Sequence, residues 1–356
     1  MEIEESIKKI NSGQDLSREE ISLVMNQILT GSVSEDQIKT FLFSLSSKGE
    51  SIEEVIGSAE VMRSLSTKVS VNTKHLVDTC GTGGVGSGIF NVSTTAAFVA
   101  SSCGAKVAKH GNRSATRKSG SADLLEVAGV SLDLNPEQVK DCIENVGLGF
   151  MFAPAHHSAM KYAIGPRKEL GIKTIFNLLG PLTNPAGALN QVLGVFDYKW
   201  VRPLAEVLKG LGSENVLVLH SEDGLDEFSS ATSTYVAELR NGEIKEYSIS
   251  PDDFELKILP IENLTADSPE ESLRIAKEAL RGENQAAAQM VAMTSGAALY
   301  VAGLAGTLKE GIDMSLQSIS EGSGIEKLEE LVEPVSYTHL RAHETRHDLV
   351  CRLLLE

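Results

Sequence analysis

The chain has few cysteines and no long apolar run. Its 356 residues include four cysteines, and no two of them form a CxxC pair. This scarcity argues against the disulfide framework of a small secreted domain and favours reduced thiols. The longest apolar stretches fall well short of the roughly 20 residues that span a bilayer, and the N-terminal MEIEESIKKI lacks the apolar core of a signal peptide. We therefore expect a cytoplasmic protein that has no membrane partner.

Positive charge is also scarce. The chain has 32 Lys and Arg residues against 49 Asp and Glu, which gives a formal net charge of -17 at pH 7. Such a field repels duplex nucleic acid and anionic membranes, so nucleic acid is not expected as a partner. A metal-chelated diphosphate is still compatible with this charge, because a few local cations and backbone amides can hold it inside an acidic protein.

The N-terminal part of the chain has the pattern of a helical bundle. Hydrophobic residues make up 42% of the chain, which is enough for a large core and more than one domain. Helix-capping serines at Ser17, Ser34 and Ser51 each precede apolar residues at helical spacing. With a weaker helix before them, these segments predict a small all-helical domain over residues 1–70.

After residue 70 the pattern changes to short apolar runs separated by glycine-rich turns and helices. This alternation predicts an α/β domain over residues 71–334, with a central mixed, mostly parallel sheet flanked by helices on both faces. We expect residues 156–180 to be helical and part of 156–185 to pack on the N-terminal bundle. The expected strands lie within residues 75–80, 106–108, 149–152, 191–196 and 215–220.

The final segment, residues 335–356, does not continue this pattern. It contains His339, His343 and His347, which would share one face of a helix and are suited in type to zinc or nickel. We favour an appended tail, foreign to the rest of the fold, over a metal site.

The most informative stretch is a glycine-rich loop between an expected strand and an alanine-rich helix. The sequence GTGGVGSG, residues 81–88, has five glycines in eight positions, and Asn91, Ser93 and Thr94 open the helix. Glycines let backbone N–H groups turn toward a ligand, and a helix N-terminus attracts anions. The loop therefore predicts a phosphate site, although it could also serve only to cap the helix. It lacks the lysine of a P-loop and the spacing of a dinucleotide fingerprint.

A second motif, KHGNRSATRKSGSADLLEVAGV, covers residues 109–130. Four cations, Lys109, Arg113, Arg117 and Lys118, lie within ten residues of this acidic chain. The glycines, serines and asparagine between them supply turns and hydrogen-bond donors, which favours an anion site over a solvated charged face. Farther along, Asp226 and Glu227 of DGLDE follow an expected strand and offer hard oxygen ligands suited to Mg²⁺.

Together these motifs resemble the anthranilate phosphoribosyltransferases over about residues 1–334. The resemblance rests on the GTGG loop with FN-x-ST, on KHGNR and KSGSADLLE, on GPRKELGIKTIFNLLGPLTNP at 165–185, and on DGLDE at 223–227. It implies a Mg²⁺-dependent enzyme of tryptophan biosynthesis that moves the 5-phosphoribosyl group from phosphoribosyl pyrophosphate to anthranilate. It also implies a homodimer formed through the helical domain, in which Phe41, Phe43 and Met62 either form the contact or belong to the bundle core.

The resemblance further implies roles for individual residues. Gly81, His110, Asn112 and Arg167 would bind anthranilate, with the Arg167 guanidinium matching the carboxylate of the substrate. Ser93, Asp226 and Glu227 would hold Mg²⁺, as two ions per site, and no residue would be a dedicated acid or base. The residues expected to bind phosphoribosyl pyrophosphate are Gly81, Gly84, Val85, Ile89, Asn91, Val92, Ser93, Thr94, Lys109, His110, Gly111, Asn112, Arg113, Arg117 and Ser121.

Two alternatives stay open at this point. A pyrimidine nucleoside phosphorylase of the same architecture would bind free phosphate and a nucleoside, but KHGNR, KSGSAD and Arg167 suit a diphosphate and a carboxylated amine better. A paralogue without catalysis would bind nucleic acid or a protein, and the net charge opposes the first. A salt-dependent shift with single-stranded DNA would identify such a paralogue.

Three positions depart from the family motif, and they predict weak binding of the donor substrate. Val85 replaces the usual aspartate of GTGGD, Ile89 replaces a hydroxyl residue, and Arg117 replaces a serine. A lost hydrogen bond to a charged group costs about 1.5–3 kcal/mol, or roughly 10- to 100-fold in affinity.

We expect activity to be retained and Val85→Asp to lower the KM for phosphoribosyl pyrophosphate by about 10-fold. A donor KM that the substitution leaves unchanged in steady-state assays would contradict this.

Overall fold

The computed structural model describes residues 1–83, 88–114 and 118–332. Its N-terminal part is a helical bundle, as predicted. Ser17, Ser34 and Ser51 each accept a hydrogen bond from the backbone N–H three residues later, so all three predicted caps are confirmed. The bundle consists of α1 (Ile3–Asn11), α2 (Arg18–Leu29), α3 (Glu35–Lys48) and α4 (Ile52–Leu65).

The candidate interface residues of the bundle divide into two groups. Phe41 is fully buried and Met62 is 6% exposed, so both belong to the bundle core and not to a free surface. Phe41 lies on the same face of α3 as Ile38 and Leu45, which point inward. Phe43 lies off that face and is 56% exposed.

A seven-stranded sheet forms the centre of the rest of the described chain. Its strands are β1 (Leu76–Asp78), β2 (Lys106–Gly111), β3 (Leu148–Phe152), β4 (Asn190–Gly194), β5 (Asn215–Ser221), β6 (Thr234–Arg240) and β7 (Glu243–Ile249). They lie in the order β3-β2-β1-β4-β5-β6-β7. The pairs among β1 to β5 are parallel, while β6 and β7 are antiparallel additions at one edge. The mixed, mostly parallel sheet is therefore confirmed.

Helices cover both faces of the sheet. The prediction of continuous helix over 156–180 is wrong, because Gly171 adopts φ +61° and ends one helix before the next begins. The helix that ends before Gly171, Lys161–Leu170, packs against α2 and α3 of the bundle. The helices are α5 (Val92–Ser102), α6 (Ser121–Val127), α7 (Pro136–Asp141), α8 (Ala153–His156), α9 (Lys161–Leu170), α10 (Phe176–Leu179), α11 (Val201–Gly210), α12 (Pro269–Leu280), α13 (Gln285–Val301), α14 (Leu308–Glu321) and α15 (Ser323–Val332).

The order of the strands reverses at β1. From β1 the chain builds outward through β2 and β3, and then returns to place β4 on the other side of β1. In open α/β sheets, ligands bind outside the carboxyl ends of the strands at such a reversal. The segments that follow β1, β2, β4 and β5 therefore converge at one edge, and those after β1, β2 and β5 carry predicted site motifs.

The C-terminal tail lies outside the described residues. The three tail histidines and Cys351 fall in residues 333–356, which are not described. Cys80, Cys103 and Cys142 are free thiols. Across the described ranges, no helix combines the length and the apolar character needed to cross a membrane.

Candidate active site

The loop after β1 is held against the end of β4. The Thr82 N–H donates to the carbonyl oxygen of Gly194 at 2.9 Å, and the Thr82 hydroxyl accepts from the Phe196 N–H at 2.9 Å. A Cβ added at Gly194 would lie 1.7 Å from the carbonyl oxygen of Asp226, a distance that no side chain tolerates. The loops after β1, β4 and β5 therefore meet through bare backbone at Gly194.

This contact brings the three predicted metal ligands to one place. Oδ2 of Asp226 would lie 3.5 Å from a Cβ at Gly81, so the carboxylate faces the glycine-rich loop. Oε1 of Glu227 accepts the N–H of Ser93, in the first turn of α5, at 3.2 Å. Nowhere in the three described ranges do three His, Cys, Asp or Glu side chains form a metal-binding cluster. Mg²⁺ commonly uses only one or two carboxylates together with substrate phosphates, so this donor set suits it.

The start of α5 is tied to distant parts of the chain through Asn91. The side-chain Oδ1 of Asn91 accepts from the hydroxyls of Ser119, at 2.9 Å, and Ser272, at 2.8 Å. Ser119 belongs to the second motif, whereas Ser272 lies on α12 and carries no motif signal that sequence analysis could have used. In the same turn of α5, the Thr94 hydroxyl is buried and has no hydrogen-bond partner among the described residues.

Two predicted donor-binding residues lie in the apolar core. Val92 is fully buried, and its N–H is bonded to the carbonyl oxygen of Phe90. Ile89 is 5% exposed and forms an isolated bridge with Thr265. Its apolar side chain suits this position, so the structure gives a packing reason for the departure from the motif.

Beneath the two loops lies a buried pair of opposite charges. Lys109 is 3% exposed, and its Nζ donates to the carbonyl oxygen of Thr79 at 2.8 Å. Asp78 is 1% exposed and accepts from the N–H of His110 at 3.3 Å and from Nδ2 of Asn184 at 2.7 Å. Burial raises the pKa of Asp78 to about 6, against the opposing effect of the Lys109 charge. Asn184 was not among the predicted site residues.

His110 is held as a neutral imidazole. Its Nδ1 lies 3.1 Å from the carbonyl oxygen of Gly180, which can only accept, so Nδ1 carries the proton. Burial, together with the neighbouring His157, lowers the pKa of His110 to about 3. Its Nε2 is therefore an acceptor, and it is buried without a partner among the described residues. The His157 ring lies 5.1 Å away and was not predicted to be part of the site.

Arg167 is a half-buried cation that lies against an aromatic ring. It lies near the end of α9, is half-buried, and its guanidinium sits 5.2 Å from the centre of the Phe176 ring. Burial lowers its pKa. In the part of the chain that the structure describes, no carboxylate forms an ion pair with it. The helix that carries Phe176 leads into Gly180, which contacts His110, so Arg167 and His110 flank the same segment.

The second motif is brought to the site only in part. Gly111 approaches Ser121 so closely that an added Cβ would lie 2.2 Å from the serine Oγ, and this hydroxyl donates to the Asn112 carbonyl oxygen at 3.3 Å. Arg113 instead forms ion pairs with Asp123 and Glu126 on α6. These pairs hold the Arg113 guanidinium against α6 and compete with a role for it in donor binding. Gly84, Val85 and Arg117 lie outside the described residues.

The raised pKa of Asp78 predicts a pH-dependent effect on stability. The folded chain binds this proton more tightly than the unfolded chain, whose pKa is near the ordinary value of 3.8. The contribution of Asp78 to stability therefore falls as pH rises from about 4 to about 6. We expect the Tm of Asp78→Asn, relative to the parent, to rise by roughly 2–4 °C between pH 4.5 and 7.5. Asp141→Asn, at an exposed aspartate, is the control; a Tm difference for Asp78→Asn that is constant with pH would contradict the assignment.

Comparison with protein-family models agrees with this architecture. Residues 4–66 match the glycosyl transferase family, helical bundle domain, and residues 73–325 match the glycosyl transferase family, a/b domain. The two matches correspond to the helical bundle and to most of the α/β part of the chain.

Individual relatives agree as well. The anthranilate phosphoribosyltransferase of Marinomonas sp. (strain MWYL1) is 56% identical over 333 residues, which are 93% of this chain and 96% of the relative. That of Ectopseudomonas mendocina (strain ymp) is 54% identical and covers 93% of this chain and 97% of the relative. The crystal structure of the Thermus thermophilus enzyme superposes with a TM-score of 0.86 at 42% identity, covering 92% of this chain and 98% of that one. The Saccharomyces cerevisiae enzyme in complex with PRPP and Mg superposes with a TM-score of 0.84 at 27% identity, covering 94% and 98%. The chain belongs to the anthranilate phosphoribosyltransferase family.

Proposed function

We propose that the chain transfers the 5-phosphoribosyl group from phosphoribosyl pyrophosphate to the amine of anthranilate, giving N-(5-phosphoribosyl)anthranilate and pyrophosphate. One observation carries the proposal. The first turn of α5, the start of the glycine-rich loop at Gly81 and the carboxylates of Asp226 and Glu227 converge where the strand order reverses. The structure of the yeast relative, which superposes on most of the chain, is of a complex with PRPP and Mg.

The donor side of the reaction depends on charge. The bond from the ribosyl carbon to the diphosphate breaks while the ring oxygen shares the developing positive charge, as in oxocarbenium-like glycosyl transfer. The α5 N-terminus and Lys109 stabilise the charge that accumulates on the leaving group. When bound, Mg²⁺ supplies further positive charge to the diphosphate, and we expect Ser93, Asp226 and Glu227 to hold two ions.

The acceptor side depends on orientation. Arg167 offers a forked donor that matches the carboxylate of anthranilate, and its partial burial strengthens that pairing. The neutral His110 lies near the end of β2, which is the neighbour of β1 in the sheet, and Asn112 lies in the loop that follows β2. With a pKa of about 3, His110 is poorly suited to take up a proton. This supports a reaction without a dedicated base, in which the aromatic amine attacks in its neutral form.

We also propose a cytoplasmic homodimer formed through the helical domain. Phe43 on α3 and Ile164 on α9 are 56% and 57% exposed, and the two helices pack side by side. The ion pair between Lys39 and Glu169 joins the same two helices at 2.8 Å. Exposed apolar side chains of this size on two adjacent helices suit a contact with a second copy better than a contact with water.

The direct test is the loss of anthranilate fluorescence on adding phosphoribosyl pyrophosphate and Mg²⁺. We expect a loss that a chelator abolishes. Assays of the full chain beside a chain ending at Pro334 separate the effect of the tail. A folded protein that shows no Mg²⁺-dependent loss in either form refutes the proposal, and turnover of a pyrimidine nucleoside with phosphate would favour the phosphorylase.

The proposed role of Arg167 gives a separate prediction. Arg167→Gln keeps much of the side-chain length but removes the charged fork. The KM for anthranilate should rise by about 10- to 100-fold, with the donor KM nearly unchanged, because only the acceptor carboxylate loses its partner. Lys168→Gln changes the neighbouring exposed cation and is the matched control. Equal effects of the two substitutions in steady-state kinetics would rule out a specific role for Arg167.

A further inference from the structure

We infer that Ser272 is a positioning residue that orients the side-chain amide of Asn91 toward the donor diphosphate. This inference rests on the proposed function. Ser272 lies on α12, 181 residues from Asn91 in the sequence, and is fully buried. None of the motifs includes it.

Two hydrogen bonds join Asn91 and Ser272, and the first determines which atom donates in the second. The Asn91 backbone N–H donates to Oγ of Ser272 at 3.1 Å, so the hydroxyl oxygen acts as an acceptor there. Its single proton is then available for Oδ1 of Asn91, 2.8 Å away. If the amide were flipped, Nδ2 would replace Oδ1 beside the serine. The hydroxyl would then face two donors, Nδ2 and the Asn91 backbone N–H, and its own proton would have no acceptor on Asn91. The serine therefore selects one orientation of the asparagine amide.

Ser119 reinforces the same orientation. Its hydroxyl donates to Oδ1 of Asn91 at 2.9 Å, so both lone pairs of that oxygen are used. The other end of the amide, Nδ2, is turned away from both serines. No hydrogen bond from Nδ2 to any described residue is formed. Nδ2 thus adds two N–H donors beside the first turn of α5, where Ser93 and the helix N-terminus favour an anion.

The packing of α12 does not depend on this hydroxyl. Leu273, Ile275 and Ala276 of the helix are buried in the apolar core. The segment before α5 is also held by backbone bonds from Phe90 N–H to the Leu264 carbonyl and from Ala266 N–H to the Gly88 carbonyl. Removing the Ser272 hydroxyl should therefore change the orientation of Asn91 more than the fold.

The test is Ser272→Ala, read by steady-state kinetics and by calorimetric binding of Mg²⁺ with inorganic pyrophosphate. We expect the KM for phosphoribosyl pyrophosphate to rise about 10-fold and pyrophosphate affinity to fall by a similar factor. The kcat and the KM for anthranilate should stay within about 2-fold. The matched control is Ser295→Ala on α13, which removes an equally buried helix hydroxyl that bonds only to backbone carbonyls.

A double-mutant cycle distinguishes positioning from packing. If Ser272 acts through Asn91, adding Ser272→Ala to Asn91→Ala should leave donor KM and pyrophosphate affinity unchanged. An equal loss in both backgrounds overturns the inference. It is also overturned if Ser272→Ala binds pyrophosphate as tightly as the parent does.

Should Ser272→Ala not fold, Ser119→Ala removes the other donor to the same oxygen and must weaken pyrophosphate binding. A parent chain that binds pyrophosphate with Mg²⁺ but has no transferase activity would refute the proposed function, while the binding cycle would still decide the role of Ser272. A parent chain that does not bind it would overturn both.

Discussion

The missing side chain at Gly194 is the constraint on which the candidate site depends. Its carbonyl oxygen accepts the N–H of Thr82, and its Cα stands where any Cβ would overlap the backbone of Asp226. Through this contact the end of β4 sets the position of Thr82, at the start of the glycine-rich loop, on one side and of the carboxylate loop on the other. The proposed metal and diphosphate ligands are thus positioned by contacts between backbone segments and do not depend on long, flexible side chains.

Electrostatics explains how a chain with net charge -17 can serve anionic substrates. Two cations, Lys109 and Arg167, are taken partly or wholly out of water. The buried carboxyl of Asp78 interacts with the Lys109 charge, and burial raises the pKa of Asp78. Arg167 rests against an aromatic ring with no carboxylate partner in the described chain. Lys109 and Arg167 thus place positive charge at the site of a chain whose formal net charge is negative.

The parts of the fold that sequence could predict are those encoded locally. Capping serines, glycine-rich turns and short apolar runs have signatures within a few residues, which is why the bundle and the parallel strands were found. The burial of Phe41 could also have been found, because it shares a helical spacing with Ile38 and Leu45. The break at Gly171 was missed because the helical pattern resumes soon after it.

Contacts between distant residues could not be predicted in the same way. Ser272, Asn184 and His157 enter the site through tertiary contacts, and nothing near them in the sequence marks this role. Arg113 was expected at the donor site, yet Asp123 and Glu126 on the next helix pair with it. A motif specifies which residue types are present, whereas their partners depend on how the elements pack.

The role of Gly194 is tested most directly by pyrophosphate-dependent binding of Mn²⁺ to the parent and to Gly194→Ala. Mn²⁺ replaces Mg²⁺ so that binding can be followed by electron paramagnetic resonance. A methyl group at this position must displace the Asp226 backbone. We expect the variant, shown to be folded by circular dichroism, to lose most of the pyrophosphate-dependent Mn²⁺ binding, while Gly306→Ala keeps it. If a folded Gly194→Ala variant bound Mn²⁺ as the parent does, the backbone contact at Gly194 would not be what positions the metal ligands.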